Sequence, residues 1–113
     1  MDITINKLQA VTVVELAGDL DANTASEVQQ KVISLATPSS KILLDLHGVK
    51  YMSSAGLRML LSLYRHVTAN KGQVVLVGLA PQIYKTMSIT GFLNFFTTCE
   101  TLESGLAVLQ QKS

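Results

Sequence analysis

The strongest constraint on the fold is a pair of nearly continuous apolar runs, Ile42-Leu43-Leu44-Asp45-Leu46 and Val74 to Val77, joined through an amphipathic segment. Such runs lack the in–out alternation of a half-solvated strand, so each reads as a strand covered on both faces. Between them, Leu57, Leu60, Leu61, Tyr64 and Val67 recur at helical spacing and predict a helix from about Ser54 to Ala69. Arg58, Ser62, Arg65 and Ala69 fall on its opposite face, and Asn70-Lys71-Gly72 is a stop signal. Strand–helix–strand units imply parallel pairing through right-handed crossovers.

The flanking segments extend this pattern. Ile3-Thr4-Ile5 and Val11 to Ala17 read as strands, and the short gap at Gln9-Ala10 predicts an antiparallel hairpin. Gly18 breaks the second strand. Thr24-Ala25-Ser26-Glu27 has the form of a capping box, followed by Ala25, Val28, Val32, Leu35 and Ala36 at helical spacing until Pro38-Ser39-Ser40. Pro81 suits the first turn of a third helix that ends at Gly91. Phe95-Phe96-Thr97 is expected as a short edge strand, and Leu102, Leu106 and Leu109 mark a last helix. The expected order is ββαβαβαβα: an α/β chain with a mixed, mostly parallel five-stranded sheet and about four helices.

Composition narrows the function. With 113 residues and 48% of them hydrophobic, the chain is expected to be one domain, 1–113, able to build a core without disulfides or a structural metal. Nine Lys plus Arg stand against eight Asp plus Glu, no basic block occurs and aromatics are 5%, so nucleic acid is not an expected partner. Val74 to Ala80, the longest apolar stretch, is far too short to cross a bilayer, and Met1-Asp2-Ile3-Thr4 lacks the features of a signal peptide. A soluble, cytoplasmic protein with no membrane insertion is therefore expected. Cys99 is the lone cysteine, and its neighbours Phe95 and Phe96 suggest a buried thiol.

Catalytic templates are missing. There is no Gly-x-Gly-x-x-Gly, P-loop, Gly-x-Ser-x-Gly or His-Glu-x-x-His. His47 is expected in a turn beside Gly48 and His66 on the polar helix face, both solvated, so no catalytic residue, metal or cofactor is expected. Asp19 and Asp21 are either turn-capping groups or ligands flanking a site.

The segment from Leu44 to Leu57 couples a buried strand to a helix through a loop that ends in Ser53-Ser54. A serine there caps the helix by accepting from backbone N–H groups. The same place suits a phosphate, because free N–H groups and the positive end of the helix dipole favour negative charge. A phosphate adds about −1.5 to −2 charges and three acceptor oxygens. The helix tolerates that charge, and a docked partner with acidic or apolar surface does not.

Leu44-Asp45-Leu46-His47-Gly48-Val49-Lys50-Tyr51-Met52-Ser53-Ser54-Ala55-Gly56-Leu57 resembles the signature of STAS domains, in particular the bacterial anti-sigma factor antagonists. Ala17-Gly18-Asp19-Leu20-Asp21 is similar to the family's turn before the first helix, and Leu79 to Phe96 to its third helix and following strand. The resemblance implies a non-enzymatic binding module that docks, unphosphorylated, onto a serine kinase and anti-sigma factor of the histidine-kinase-like ATPase type. Phosphorylation releases it and a PP2C-type phosphatase restores it.

Members usually read Asp-Ser-(Ser or Thr)-Gly-Leu at this loop. Anchoring on Gly56-Leu57 makes Ser54 the implied phosphoacceptor, with Ser53 as a rival. Ser53 stands where the family has Asp, and Ala55 where it has a second hydroxyl. Asp21, Asn23, Thr24, Ser53, Ala55, Arg58 and Ser62 are the implied partner-binding residues. Met59 and Leu63 extend the helix's apolar arc, either against a neighbouring helix or as an exposed patch for the partner. Arg58 can brace the phosphate or pair with an acidic partner. STAS domains also serve anion transporters and lipid-trafficking complexes, so the alternative is an accessory subunit that binds a nucleotide or such a partner without a phospho-switch.

Overall fold

A computed structural model describes residues 1–111. The elements are β1 Asp2–Leu8, β2 Val11–Ala17, α1 Ala22–Ile33, β3 Lys41–Gly48, α2 Ser54–Ala69, β4 Gln73–Val77, α3 Pro81–Thr90, β5 Thr97–Cys99 and α4 Leu102–Gln111. A 3₁₀ turn, Phe92–Phe95, links α3 to β5. The strands form one sheet in the order β1-β2-β3-β4-β5, antiparallel at β1/β2 and parallel elsewhere. This is the expected α/β architecture, ββαβαβαβα. At the hairpin, Gln9 and Ala10 both take left-handed φ (51° and 71°), as a two-residue turn matching strand twist requires, although neither is Gly or Asn.

The continuous apolar runs follow from a sheet with two covered faces. Val14, Leu16, Ile42, Leu44, Leu46, Val74 and Leu76 pack against residues of α1, α2 and α3. The alternate residues Val11, Val13, Leu43, Val75 and Val77 pack with Leu109 of α4. Ile42, Leu43 and Leu44, consecutive on β3, are each 0% exposed, so successive side chains enter opposite cores. Full burial of one such aliphatic side chain contributes about 1.5–3 kcal/mol.

Several local expectations are corrected. Helix α1 begins at Ala22, ahead of the expected box at Thr24, because Asp21 supplies the cap and Glu27 lies exposed in the helix body. Its apolar spacing holds through Ala25, Val28 and Val32, but Leu35 and Ala36 lie past its end and are half-buried. Phe95 belongs to the 3₁₀ turn and the edge strand starts at Thr97. Left-handed Gly91 (φ 84°) ends α3 and opens this turn, which brings Phe95 and Phe96 to 5.8 and 5.5 Å from the Tyr64 ring.

Cys99 is therefore separated from those rings: it is half-buried and packs on the α4 side of the sheet. His47 lies on β3 itself and not in a turn. Its side chain is 56% exposed, with Nδ1 2.6 Å from Asp45 Oδ1 and Nε2 3.2 Å from the Glu100 carbonyl oxygen. Among the described residues, no helix is long and apolar enough to cross a membrane.

Candidate functional site at the start of α2

The β2–α1 turn and the β3–α2 loop are stitched into one unit. Leu20 N–H donates to the Tyr51 carbonyl and Ser53 N–H to the Leu20 carbonyl, both at 2.9 Å, so Leu20 and Met52 bridge as an extra parallel pair. Both helices start from this bridge, α1 after Asp21 and α2 after Ser53. Gly18 N–H to the Gly48 carbonyl, 3.0 Å, continues the seam below it.

The seam explains two glycines. A Cβ at Gly48 would lie 2.8 Å from Ala17 Cβ and 2.9 Å from the Leu16 carbonyl oxygen. At Gly56 it would lie 2.8 Å from both the Leu20 carbonyl oxygen and Met52 Cγ. Only glycine lets the first turn of α2 approach the Leu20 backbone this closely.

The two serines divide the work that one residue was expected to do. Ser53 is the N-cap: its backbone is extended and its hydroxyl accepts from Gly56 N–H at 3.4 Å. Ser54 is the first helical residue, is exposed, and plays no part in the cap. The first N–H groups of a helix lack intrahelical acceptors, and no acidic side chain occupies the first turn of α2. Arg58 is exposed one turn further along.

Asp21 is a capping residue, as one of its two expected readings held. Its Oδ1 accepts from Asn23 N–H (3.0 Å) and Thr24 N–H (3.1 Å). In return, Thr24 Oγ1 accepts from Asp21 N–H at 2.9 Å and donates to the Asp19 carbonyl at 2.7 Å. The bond from Thr24 N–H, foremost, holds the Asp21 carboxyl below its ordinary value of 3.8, against a smaller opposing effect of burial.

A depressed carboxyl stabilises the fold above its unfolded value and loses that contribution as pH falls through the folded one. Asparagine caps helices as well as aspartate does. We therefore expect Asp21→Asn to leave stability at pH 7 nearly unchanged and to flatten its decline below about pH 4. Urea unfolding at pH 7 and pH 3 measures this.

The remaining candidate residues separate by exposure. Asn23 is exposed, whereas Thr24, Ala55 and Ser62 are half-buried. The Ser62 hydroxyl accepts from Gln29 Nε2 at 3.4 Å and so faces α1. Met59 and Leu63 are 3% and 1% exposed, which corrects the exposed-patch alternative: they belong to the core shared with α1. The wheel of α2 could not settle this, because the width of a buried stripe depends on how many neighbours cover the helix.

Sequence reasoning missed what lies on the other side of Ser54. Tyr51 is 54% exposed and, with Lys50, Met52 and Leu57, forms one wall of a cleft of about 190 Å³. Gln82, Ile83 and Thr86 of α3 form the other wall. Only the unusual exposure of an aromatic in that loop signals it. A larger cleft of about 720 Å³ opens above the ends of β3 to β5, with Lys50, Tyr84 and Glu100 on its rim. Among the described residues, no three His, Cys, Asp or Glu side chains are grouped so as to hold a metal ion.

The class defined here is a small α/β domain with a mixed, mostly parallel sheet, whose first two helices start from one hydrogen-bonded seam with a serine exposed at the second. The STAS domain profile matches residues 2–105, and the chain belongs to the STAS domain family. It is 30% identical over 77 residues to the anti-sigma-B factor antagonist of Listeria monocytogenes, spanning 67% of this chain and 68% of that one. It is 26% identical over 93 residues to the anti-sigma-B factor antagonist of Bacillus subtilis, 82% and 85% of the two chains. Among solved structures, the anti-sigma factor antagonist SpoIIAA in its unphosphorylated form superimposes with a TM-score of 0.79 at 18% identity, covering 99% of each chain. The phosphorylated form of SpoIIAA, a Bacillus cell fate determinant, gives 0.72 at 18% identity over 94% and 97% of the chains.

Proposed function

We propose that this domain is a phosphorylation-switched regulatory binding protein of the anti-sigma factor antagonist kind. Unmodified, it docks onto a serine kinase and anti-sigma factor of the histidine-kinase-like ATPase type; phosphorylation of Ser54 releases it, and a PP2C-type phosphatase resets it. The observation that carries this reading is the separation of duties at α2: Ser53 holds the cap, and Ser54 stands exposed beside it. A phosphate on Ser54 meets the positive end of a helix dipole with no acidic neighbour in the first turn, so the fold accepts it. The names of the relatives, anti-sigma-B factor antagonists and SpoIIAA, support the same role. So does the occurrence of SpoIIAA in both phosphorylation states.

The test is to incubate the protein with a serine kinase of that type and ATP, then map the phosphopeptide by mass spectrometry. Wild type and Ser53→Ala are expected to be modified at Ser54, and Ser54→Ala to take up no phosphate. Modification that persists undiminished in Ser54→Ala defeats the assignment.

A further inference from the structure

The charges of this nearly neutral chain are segregated along it. From Leu46 to Cys99 there is no Asp or Glu, while Lys50, Arg58, Arg65, Lys71 and Lys85 all lie in that stretch. Among the described residues, none of these five cations makes an ion pair. The stretch includes α2 and α3, which pack on the same face of the sheet. It also carries most of the exposed large apolar side chains: Tyr51 (54%), Tyr84 (49%), Ile89 (75%) and Phe95 (46%). Lys50 lies between the two clefts and lines both.

We infer that the α2/α3 face, centred on the cleft between Tyr51 and Thr86, is a docking surface for an acidic protein segment that inserts an apolar side chain. The inference rests on the proposed partner-binding role and names the chemistry of that partner. Unpaired Lys50 and Lys85 beside the exposed Tyr51 and Tyr84 favour carboxylates around an apolar anchor. The face is continuous with Ser54 through Met52-Ser53, so a dianion there cancels the field that attracts the partner. A phosphate backbone offers nothing to Ile89 or Phe95, and the net charge of +1 gives no long-range pull toward polyanions. Helix α3 contributes only one cation, Lys85, which is little for an anionic bilayer.

The probe is a helical peptide with leucines at i, i+3, i+4 and i+7 flanked by glutamates, titrated into the labelled protein while amide shifts are followed. Saturable shifts at Lys50, Tyr51, Gln82 and Thr86 are expected, weakening about tenfold from low to high salt. The Lys50→Glu/Lys85→Glu double variant is expected to bind at least about tenfold more weakly. Lys31→Glu on α1 controls for charge alone and is expected to bind as wild type. If the double variant does not fold, Lys85→Glu alone carries the comparison.

The lysine version of the peptide, phosphatidylglycerol vesicles and a DNA oligonucleotide complete the set. Equal binding of the lysine peptide, shifts centred elsewhere, or binding of vesicles or DNA in place of the acidic peptide overturns the inference. All of these titrations use the unphosphorylated protein. The surface is thus tested without any phosphorylation, and its failure is distinguishable from failure of the phosphosite assignment.

Discussion

Replacing Gly56 with valine is expected to destabilise the protein by about 3 kcal/mol, near the upper end for overpacking a tight site. The nearest obstacle to any Cβ there is the Leu20 carbonyl oxygen at 2.8 Å, and Met52 Cγ is equally close. A flexible side-chain tip would swing aside, but Leu20 is held by its bonds to Tyr51 and Ser53. The about 1 kcal/mol that a helix normally gains on losing a glycine is too small to offset this, and valine's branched Cβ reduces it further. Urea or thermal unfolding of Gly56→Val, compared with an exposed helical change such as Ser26→Ala, checks the expectation. A loss below about 0.5 kcal/mol, the range of an ordinary surface change, would mean that the two helix starts are not rigidly joined.

The second large effect belongs to binding. Ser54→Asp is expected to weaken docking to the unmodified domain's partner at least about tenfold, and phosphate on Ser54 about a hundredfold or more. Like charges brought together at an interface cost several kcal/mol, and a phosphate carries up to twice the charge of a carboxylate. Folding should be unaffected, because the added charge sits at the N-terminal end of α2. Calorimetric titration of wild type, Ser54→Asp and phosphorylated protein at two salt concentrations separates affinity from stability. Equal affinities for all three forms would rule out electrostatic exclusion at Ser54.

Much of the architecture was legible because its signals were long and periodic. The α2 stripe, bounded by Ser53-Ser54 and Asn70-Lys71-Gly72, gave helix limits that agree with Ser54–Ala69. The apolar strands β3 and β4 declared two covered faces. Short-range signals were less decisive. Two overlapping patterns, Asp21-x-x-Thr24 and Thr24-x-x-Glu27, both fit a capping box, and the seam through Leu20 selects the first by fixing where α1 must begin. Phe95-Phe96-Thr97 has strand-forming residues, yet the ring contacts with Tyr64 and the turn at Gly91 win over that preference.

At the site, the position of Ser54 came from resemblance, since capping alone would favour either serine. What no pattern contained was the tertiary context: Met59 and Leu63 disappear beneath α1, and Tyr51 emerges opposite α3.

The placement of α4 bears on how this chain is made. The buried residues of the helix-rich front of the sheet end at Met87, with Phe92, Leu93 and Phe96 closing its margin, but the rear waits for Leu109. Until α4 leaves the ribosome, Val11, Val13, Leu43, Val75 and Val77 have no lid and are wet. The nascent domain therefore remains a half-dressed sheet until α4 has emerged, and it is then that chaperones have most to shield.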